Sequence, residues 1–158
     1  MDNNYIKRLF HVCVTVENIE DALKFYVGVL GLKSIGSLRN EKSKGDVLGL
    51  PGEDIEINAD HLEGSETKNA TVIDLVQYIK PKPNTSRPPK DLNRLGITRM
   101  AFGVDDIDSV YTKLTARNDI DFLCKPTMLN APGGGWLKVC TFIDPFGVTL
   151  ELIESGQE

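Results

Sequence analysis

Four polar residues, His11, Asp74, Arg99 and Glu151, are the groups in this chain best suited to chemistry. A histidine and two carboxylates can bind a cation or transfer a proton, and an arginine can hold an anionic group through paired hydrogen bonds. Each of the two carboxylates stands between large aliphatic residues in a strand-like stretch, where burial is costly unless the charge is paired or coordinated. The four residues could therefore form one functional site. Alternatively, each could be a half-exposed strand residue, with Arg99 paired to Asp74 or Glu151 in a structural salt bridge.

The chain contains one sequence unit twice, and this repeat relates the four residues to one another. Residues 10–26, FHVCVTVENIEDALKFY, align without a gap with residues 98–114, TRMAFGVDDIDSVYTKL. Each copy predicts a short strand followed by a helix. The alignment pairs His11 with Arg99, and strand alternation puts both residues on the face opposite the helix. Internal symmetry therefore predicts that all four polar side chains reach one concave surface.

The predicted elements follow the order β-α-β-β-β in each half of the chain. Module one covers about residues 8–79, a proline-rich linker covers about 80–95, and module two covers about 96–154. We predict a single α+β domain over residues 1–158. In this fold the two modules form a curved, partly closed mixed sheet around one cavity, with the helices outside.

Local sequence signals add detail to this outline. Asn18 and Asp106 are the predicted N-cap residues of the two helices. The stretch from Lys44 to Leu50 predicts a short helix, and Asp144 to Gly147 predicts the turn of a hairpin. The glycine-rich stretch from Ala131 to Gly135 predicts a mobile loop.

Composition argues against several classes of function. The 158 residues are 41% hydrophobic and 26% charged, with a net charge of −5, which is typical of a globular protein and argues against nucleic-acid binding. No apolar run approaches the roughly 20 residues of a membrane span, and the N-terminus lacks the apolar core of a signal peptide. The three cysteines, Cys13, Cys124 and Cys140, form no CxxC pair and are expected to be reduced and packed in strands. We therefore expect a cytoplasmic protein with no nucleic-acid or membrane partner.

These features resemble the vicinal-oxygen-chelate superfamily, which includes glyoxalase I, methylmalonyl-CoA epimerase, bleomycin-resistance proteins and extradiol dioxygenases. The resemblance covers about residues 10–154 and is specific for the fold rather than for the reaction. The matching stretches are His11-Val12 with Val16, Phe25-Tyr26 with Leu30-Gly31-Leu32, Ile73-Asp74-Leu75, Ala101-Phe102 with Val104-Asp105-Asp106-Ile107, and Asp144-Pro145-Phe146-Gly147 with Leu150-Glu151-Leu152.

The resemblance implies a site for one divalent metal ion. Members of the family usually bind the ion with one residue from each of four strands, and they chelate the substrate through two neighbouring oxygens. Carried over by position, the ligands in this chain are His11, Asp74 and Glu151. Arg99 stands where a fourth ligand is expected, and a guanidinium has no lone pair to donate. One imidazole and two carboxylates suit Fe, Mn, Ni, Co or Zn.

The resemblance leaves two main functions open, and we favour the first. In the first, the chain is a metal-dependent isomerase, epimerase or lyase, in which Glu151 transfers a proton while Arg99 and Trp136 bind the substrate. A single-barrel ring-cleavage dioxygenase is a less favoured variant of this function. In the second, the metal site is lost and the groove binds a small molecule, as bleomycin-resistance proteins do. The family commonly dimerises, so a homodimer is expected, and His61 is expected to be exposed rather than catalytic.

Overall fold

The computed structural model describes residues 5–87, 91–132 and 134–157. The chain divides into two compact units, an N-terminal unit of residues 1–85 and a C-terminal unit of residues 86–158. That the two units form a single domain around one cavity stays a prediction.

The N-terminal unit is a four-stranded sheet with one α-helix packed against it. Its elements are β1 (His11–Thr15), α1 (Ile19–Tyr26), β2 (Lys33–Lys44), a 3₁₀ turn (Gly45–Leu48), β3 (Asp54–Glu63) and β4 (Val72–Lys80). The strand order is β1-β4-β3-β2, with β1 parallel to β4 and the other neighbours antiparallel. This unit therefore has the β-α-β-β-β order predicted from the sequence. The short helix predicted from Lys44 to Leu50 is a single 3₁₀ turn.

The C-terminal unit repeats this plan with one additional strand. Its elements are β5 (Met100–Gly103), α2 (Ile107–Thr115), β6 (Asp121–Phe122), β7 (Thr127–Asn130), β8 (Trp136–Ile143) and β9 (Thr149–Gly156). The strand order is β5-β9-β8-β6, and β7 also pairs with β8. The sequence did not predict β7, because all four of its residues are exposed and so give no alternation of apolar and polar positions.

Both helices begin in the same way, which confirms the predicted caps. The side chain of Asn18 accepts hydrogen bonds from the backbone of Glu20 and Asp21, and that of Asp106 accepts one from Ser109. A side chain of the last strand adds a second cap in each unit. Gln77 accepts from the N–H of Ile19 at 3.4 Å, and Glu154 accepts from the N–H of Ile107 at 2.8 Å. These bonds fix each helix against one face of its sheet and leave the other face for the polar residues.

The mixed α+β class is therefore confirmed, and within the described residues neither sheet closes on itself. The Asp144–Gly147 turn is confirmed as well, because Oδ1 of Asp144 accepts from the N–H groups of Phe146 and Val148 and Gly147 has a positive φ of 87°. Pro88 and Pro89 of the predicted linker, and Gly133 of the predicted mobile loop, lie outside the described residues. In the part of the chain that is described, no helix combines the length and apolar character needed to cross a bilayer.

Candidate functional site

Three side chains of the N-terminal unit form a group that could hold a metal ion. One donor atom from each of His11, His61 and Asp74 lies within 4.8 Å of the others. Nε2 of His61 is 3.3 Å from Oδ1 of Asp74, and the ring centroids of His11 and His61 are 6.3 Å apart. The structure therefore brings together two of the predicted ligands, His11 and Asp74, and adds His61 to them.

Strand pairing explains why these three residues meet. β4 lies between β1 and β3, so Asp74 is paired with Cys13 on one side and with His61 on the other. His11 precedes Cys13 by two residues, and side chains two residues apart in a strand share a face. Asp74 is thus flanked by a histidine from each neighbouring strand, on the face opposite α1.

One oxygen of Asp74 fits the role of a metal ligand. Oδ1 is buried, and no hydrogen-bond partner for it exists among the described residues. Its 3.3 Å approach to Nε2 of His61 lies within the range of an ion pair but lacks the geometry of a hydrogen bond. A buried carboxylate oxygen without a partner carries a desolvation cost, which a bound cation would offset. The donor set and this oxygen therefore fit a divalent metal ion.

Two further polar groups, Cys13 and Tyr78, belong to the same face of this sheet. Although Cys13 as a residue is exposed, partial desolvation of its thiol raises the pKa to about 11, and the charge of Asp74 adds to the shift. Burial also raises the pKa of Tyr78, with smaller contributions from Cys13 and Asp74. Both groups are therefore protonated at neutral pH and can donate hydrogen bonds. The thiol of Cys13 was expected to be packed in a strand, but Cys13 is exposed, as is Cys124, and only Cys140 is buried.

Beyond these polar groups the same face becomes apolar. Ile57 and Ala59 of β3 pack with Val76 of β4, and the partly buried Tyr78 packs against them. Register places these residues on the side of the sheet that carries Asp74. The three donors therefore lie at the polar end of an apolar face.

The other two predicted residues meet in the C-terminal unit. Nε of Arg99 donates a hydrogen bond of 2.9 Å to Oε2 of Glu151, and the hydroxyl of Thr141 lies 3.4 Å from the same oxygen. Glu151 is 8% exposed, whereas 44% of the Arg99 side chain is exposed. The salt bridge that the sequence left open is thus present, and Arg99 offsets the charge of a buried carboxylate. The predicted roles of Glu151 in metal binding and proton transfer stay predictions.

Arg99→Met is expected to lower the free energy of unfolding, because it leaves the Glu151 carboxylate buried without its cation. Removal of one partner of a fully buried pair costs about 3–5 kcal/mol. Solvent screens the half-exposed Arg99, so we expect about 1–2 kcal/mol here. Urea unfolding of the two proteins would measure the difference.

The double variant Arg99→Met/Glu151→Gln serves as the control for that measurement. It removes the uncompensated charge, so it is expected to recover most of the lost stability. Equal stability of the single and double variants would show that the ion pair is not what holds this part of the sheet.

The structure does not bring Trp136 to Arg99 and Glu151. Trp136 begins β8, five residues before Thr141, which corresponds to about 17 Å along an extended strand. It is paired with Gly156, and alternation puts its side chain on the face opposite Thr141 and Glu151. Its predicted role in substrate binding stays a prediction.

The internal repeat relates the two polar groups position by position. Asp74 is paired with His61 in the N-terminal unit, and Glu151 is paired with Thr141 in the C-terminal unit. The sequence alignment pairs His11, the first residue of β1, with Arg99, which directly precedes β5. The three equivalent positions are therefore His, His and Asp in one unit, and Arg, Thr and Glu in the other.

Sequence reasoning missed His61, which was expected to be exposed and without a role. Its side chain is indeed 45% exposed, but it lies beside Asp74. Alternation along β3 places His61 on the same face as Ile57 and Ala59. This alternation was the sequence signal that could have pointed to His61 as a site residue. The pairing of β3 with β4 was also needed, and the connection between the two strands leaves their register open.

A repeated β-α-β-β-β unit with polar residues opposite each helix is the arrangement of the vicinal-oxygen-chelate fold. The family model for the Glyoxalase/Bleomycin resistance protein/Dioxygenase superfamily matches residues 8–152. The chain belongs to this superfamily, and the resemblance seen in the sequence is confirmed. A search of curated proteins gave no significant match.

Solved structures of the same fold include both an enzyme and a binding protein. A glyoxalase family protein from Bacillus cereus superposes with a TM-score of 0.78 at 22% identity, over 98% of each chain. The trypanothione-dependent glyoxalase I of Leishmania major has a TM-score of 0.61 at 16% identity, over 94% of this chain and 87% of that one. The antibiotic-binding protein TnmS3 from Streptomyces has a TM-score of 0.60 at 19% identity, over 96% and 98% of the two chains. At these identities the likeness shows the fold alone.

Proposed function

We propose that this protein is a divalent-metal-dependent enzyme of the glyoxalase type, an isomerase, epimerase or lyase whose substrate carries adjacent oxygens. The observation that carries the proposal is the group formed by His11, His61 and Asp74, whose donor atoms lie within 4.8 Å of one another. Imidazole nitrogen and carboxylate oxygen are ligands shared by Fe, Mn, Co, Ni and Zn. A homodimer is proposed with it, on the resemblance to the family alone.

Residues around this site are suited to binding a small-molecule substrate. When bound, the metal ion would supply Lewis-acid polarisation of a substrate oxygen. The exposure of His11 and the partial exposure of His61 leave the two imidazoles open to solvent and therefore to a substrate, while Oδ1 of Asp74 is buried beside them. The protonated thiol of Cys13 can donate a hydrogen bond to a substrate oxygen beside Asp74. The protonated hydroxyl of Tyr78 can do the same further along β4.

A second candidate function is binding of a small molecule without a metal ion. It is favoured by Arg99, which takes the position equivalent to His11 and already pairs with the carboxylate of Glu151. That pair makes Glu151 less available as a metal ligand. The fold also occurs in TnmS3, which is an antibiotic-binding protein.

Metal analysis distinguishes the two functions. Protein freed of metal with a chelator and reloaded separately with Fe(II), Mn(II), Co(II), Ni(II) or Zn(II) is expected to retain one equivalent of at least one ion per chain. Loss of a residue that only orients a ligand typically costs 10–100-fold in metal affinity, so His11→Ala and Asp74→Asn are expected to lose about 100-fold or more. Atomic emission measurements on the desalted protein would give the content, and calorimetric titration would give the affinity.

Asp54→Asn provides the matched control, because Asp54 is an exposed aspartate of the same sheet that pairs with Lys44. It is expected to bind metal as the parent protein does. If the parent protein retains none of the five ions, the metal-dependent function is wrong and the binding function takes its place.

A further inference from the structure

We infer that the metal ligands come from the N-terminal unit alone, with His61 as the third ligand in place of Glu151. This inference rests on the proposed metal dependence and goes beyond it by naming the ligand set. The resemblance implied one ligand from each of four strands, two of them in the C-terminal half. The geometry of the described residues points instead to β1, β3 and β4 of a single sheet.

The placement of the three donors on one face of the sheet favours a shared ion. Asp74 lies on the central strand, with His61 directly opposite it in β3 and His11 on the same face of β1. Ligand atoms at about 2.1 Å from one ion can be at most about 4.2 Å apart. The donors lie within 4.8 Å of one another, so small rotations of partly exposed side chains suffice to close the site.

The buried Oδ1 atom of Asp74 also favours a shared ion. It has no hydrogen-bond partner among the described residues, although Nε2 of His61 lies only 3.3 Å away. The buried Oδ1 atom therefore carries a desolvation cost that no hydrogen bond from the described residues offsets. A cation bound between Oδ1 and Nε2 of His61 would offset it. His61 is therefore placed to share an ion with Asp74.

Glu151 in the C-terminal unit, by contrast, already has polar partners. Its Oε2 atom already accepts a hydrogen bond from Arg99 at 2.9 Å and lies 3.4 Å from the hydroxyl of Thr141. At the three repeat-equivalent positions, the C-terminal unit thus carries groups that satisfy one another. The N-terminal unit carries three donors, one of which has an unsatisfied atom. The repeat has diverged into one ion-paired group and one metal-ligand group.

The consequence is a three-ligand site of two imidazoles and one carboxylate. Three protein ligands leave coordination positions for the two neighbouring oxygens of a substrate. His61 would act as a ligand of the ion and Arg99 as the counter-charge of Glu151.

The test measures binding of Co(II) and Zn(II) alone, with dissociation constants obtained by competition with a chromophoric chelator. We expect His61→Ala and His61→Phe each to weaken binding by about 100-fold, since both remove the donor and the second keeps a ring of similar size. The double variant Arg99→Met/Glu151→Gln removes the ion pair as a unit and is expected to change the affinity by less than threefold. Thr141→Val, at the position equivalent to His61, is the matched control. The visible absorption of bound Co(II) should shift in the His61 variants if any ion is retained, and circular dichroism would check that each variant is folded.

Each outcome decides the inference. Full affinity in the His61 variants overturns it. If the Arg99→Met/Glu151→Gln variant then loses affinity, the ion uses Glu151, and the proposed metal dependence stands with a different ligand set. If the parent protein binds neither ion nor any of the other three, both the inference and the proposed metal dependence fail.

Discussion

Phe142→Ala is expected to lower the free energy of unfolding by about 3–5 kcal/mol, which is typical of removing a fully buried aromatic side chain. Phe142 lies in β8 with no solvent exposure. Its ring packs against Phe122 of β6 at a centroid distance of 5.4 Å, and Phe122 in turn meets Tyr111 of α2 at 4.8 Å. These three rings join the helix to the sheet on the face opposite Glu151. Truncation of Phe142 to alanine removes the packing contacts that its ring makes with Phe122 and the surrounding core.

Chemical denaturation of Phe142→Ala against the parent protein would measure this effect. Leu129→Ala is the matched control, because Leu129 lies in β7 of the same sheet and is 52% exposed. Surface substitutions of this kind change stability by about 0.5 kcal/mol or less. A Phe142→Ala protein as stable as the Leu129→Ala protein would contradict the assignment of this residue to the core.

Local sequence signals sufficed for both helices and for every described strand except β7. Asn18 and Asp106 cap their helices because capping depends on residues within one turn of each other. Strand faces followed from alternation alone, which correctly placed His11 on the face opposite α1. The sequence repeat then predicted that the second half would follow the order of the first.

The contents of the site were harder to predict, because they depend on pairing between strands. Whether His61 meets Asp74 depends on the register of β3 against β4 across the connection from residue 64 to residue 71. A shift of one residue would turn His61 to the other face. No local pattern in either strand encodes that register, so the histidine was predicted to be exposed and without a role.

For a similar reason, the sequence did not reveal whether Glu151 forms a salt bridge with Arg99. An arginine and a glutamate at the positions that correspond to His11 and Asp74 allow either a salt bridge or two separate functional groups. The parallel pairing of β5 with β9 puts Ala101 opposite Glu151 and thereby brings Arg99 within 2.9 Å of the carboxylate. Once that contact exists, the carboxylate has a cation, and its value as a metal ligand falls. The residue types of Arg99 and Glu151 allowed several kinds of chemistry, and the pairing of β5 with β9 determined that they form an ion pair.

Asp60→Asn is expected to lower the free energy of unfolding by about 2–3 kcal/mol at neutral pH, the cost of leaving buried donors without a charged acceptor. Asp60 lies in β3 on the face of α1 and is 2% exposed. Its Oδ1 atom accepts from the hydroxyls of Ser34 at 2.8 Å and Ser37 at 2.5 Å, and Oδ2 lies 2.6 Å from Nη1 of Arg39. An asparagine keeps the volume but loses the charge that holds these three groups of β2.

The pH dependence of stability gives this prediction a second measurement. Burial by itself would raise the pKa of Asp60, but the hydrogen bonds from Ser37 and Ser34 and the adjacent guanidinium of Arg39 outweigh it and hold the pKa below its usual value. The unfolded chain therefore binds a proton more readily than the folded one. The stabilisation is fully present above the unfolded pKa, about 3.9, and is lost as the pH falls through the lower folded value.

We therefore expect the difference between the parent protein and Asp60→Asn to be constant above about pH 5 and to shrink as the pH falls from about 4 towards 2. Urea unfolding at a series of pH values would record both curves. Asp46→Asn, at an exposed aspartate in the 3₁₀ turn of the same unit, is the control and should follow the parent protein. Parallel curves for the parent protein and Asp60→Asn across this range would mean that the ionised carboxylate does not hold β2 to β3.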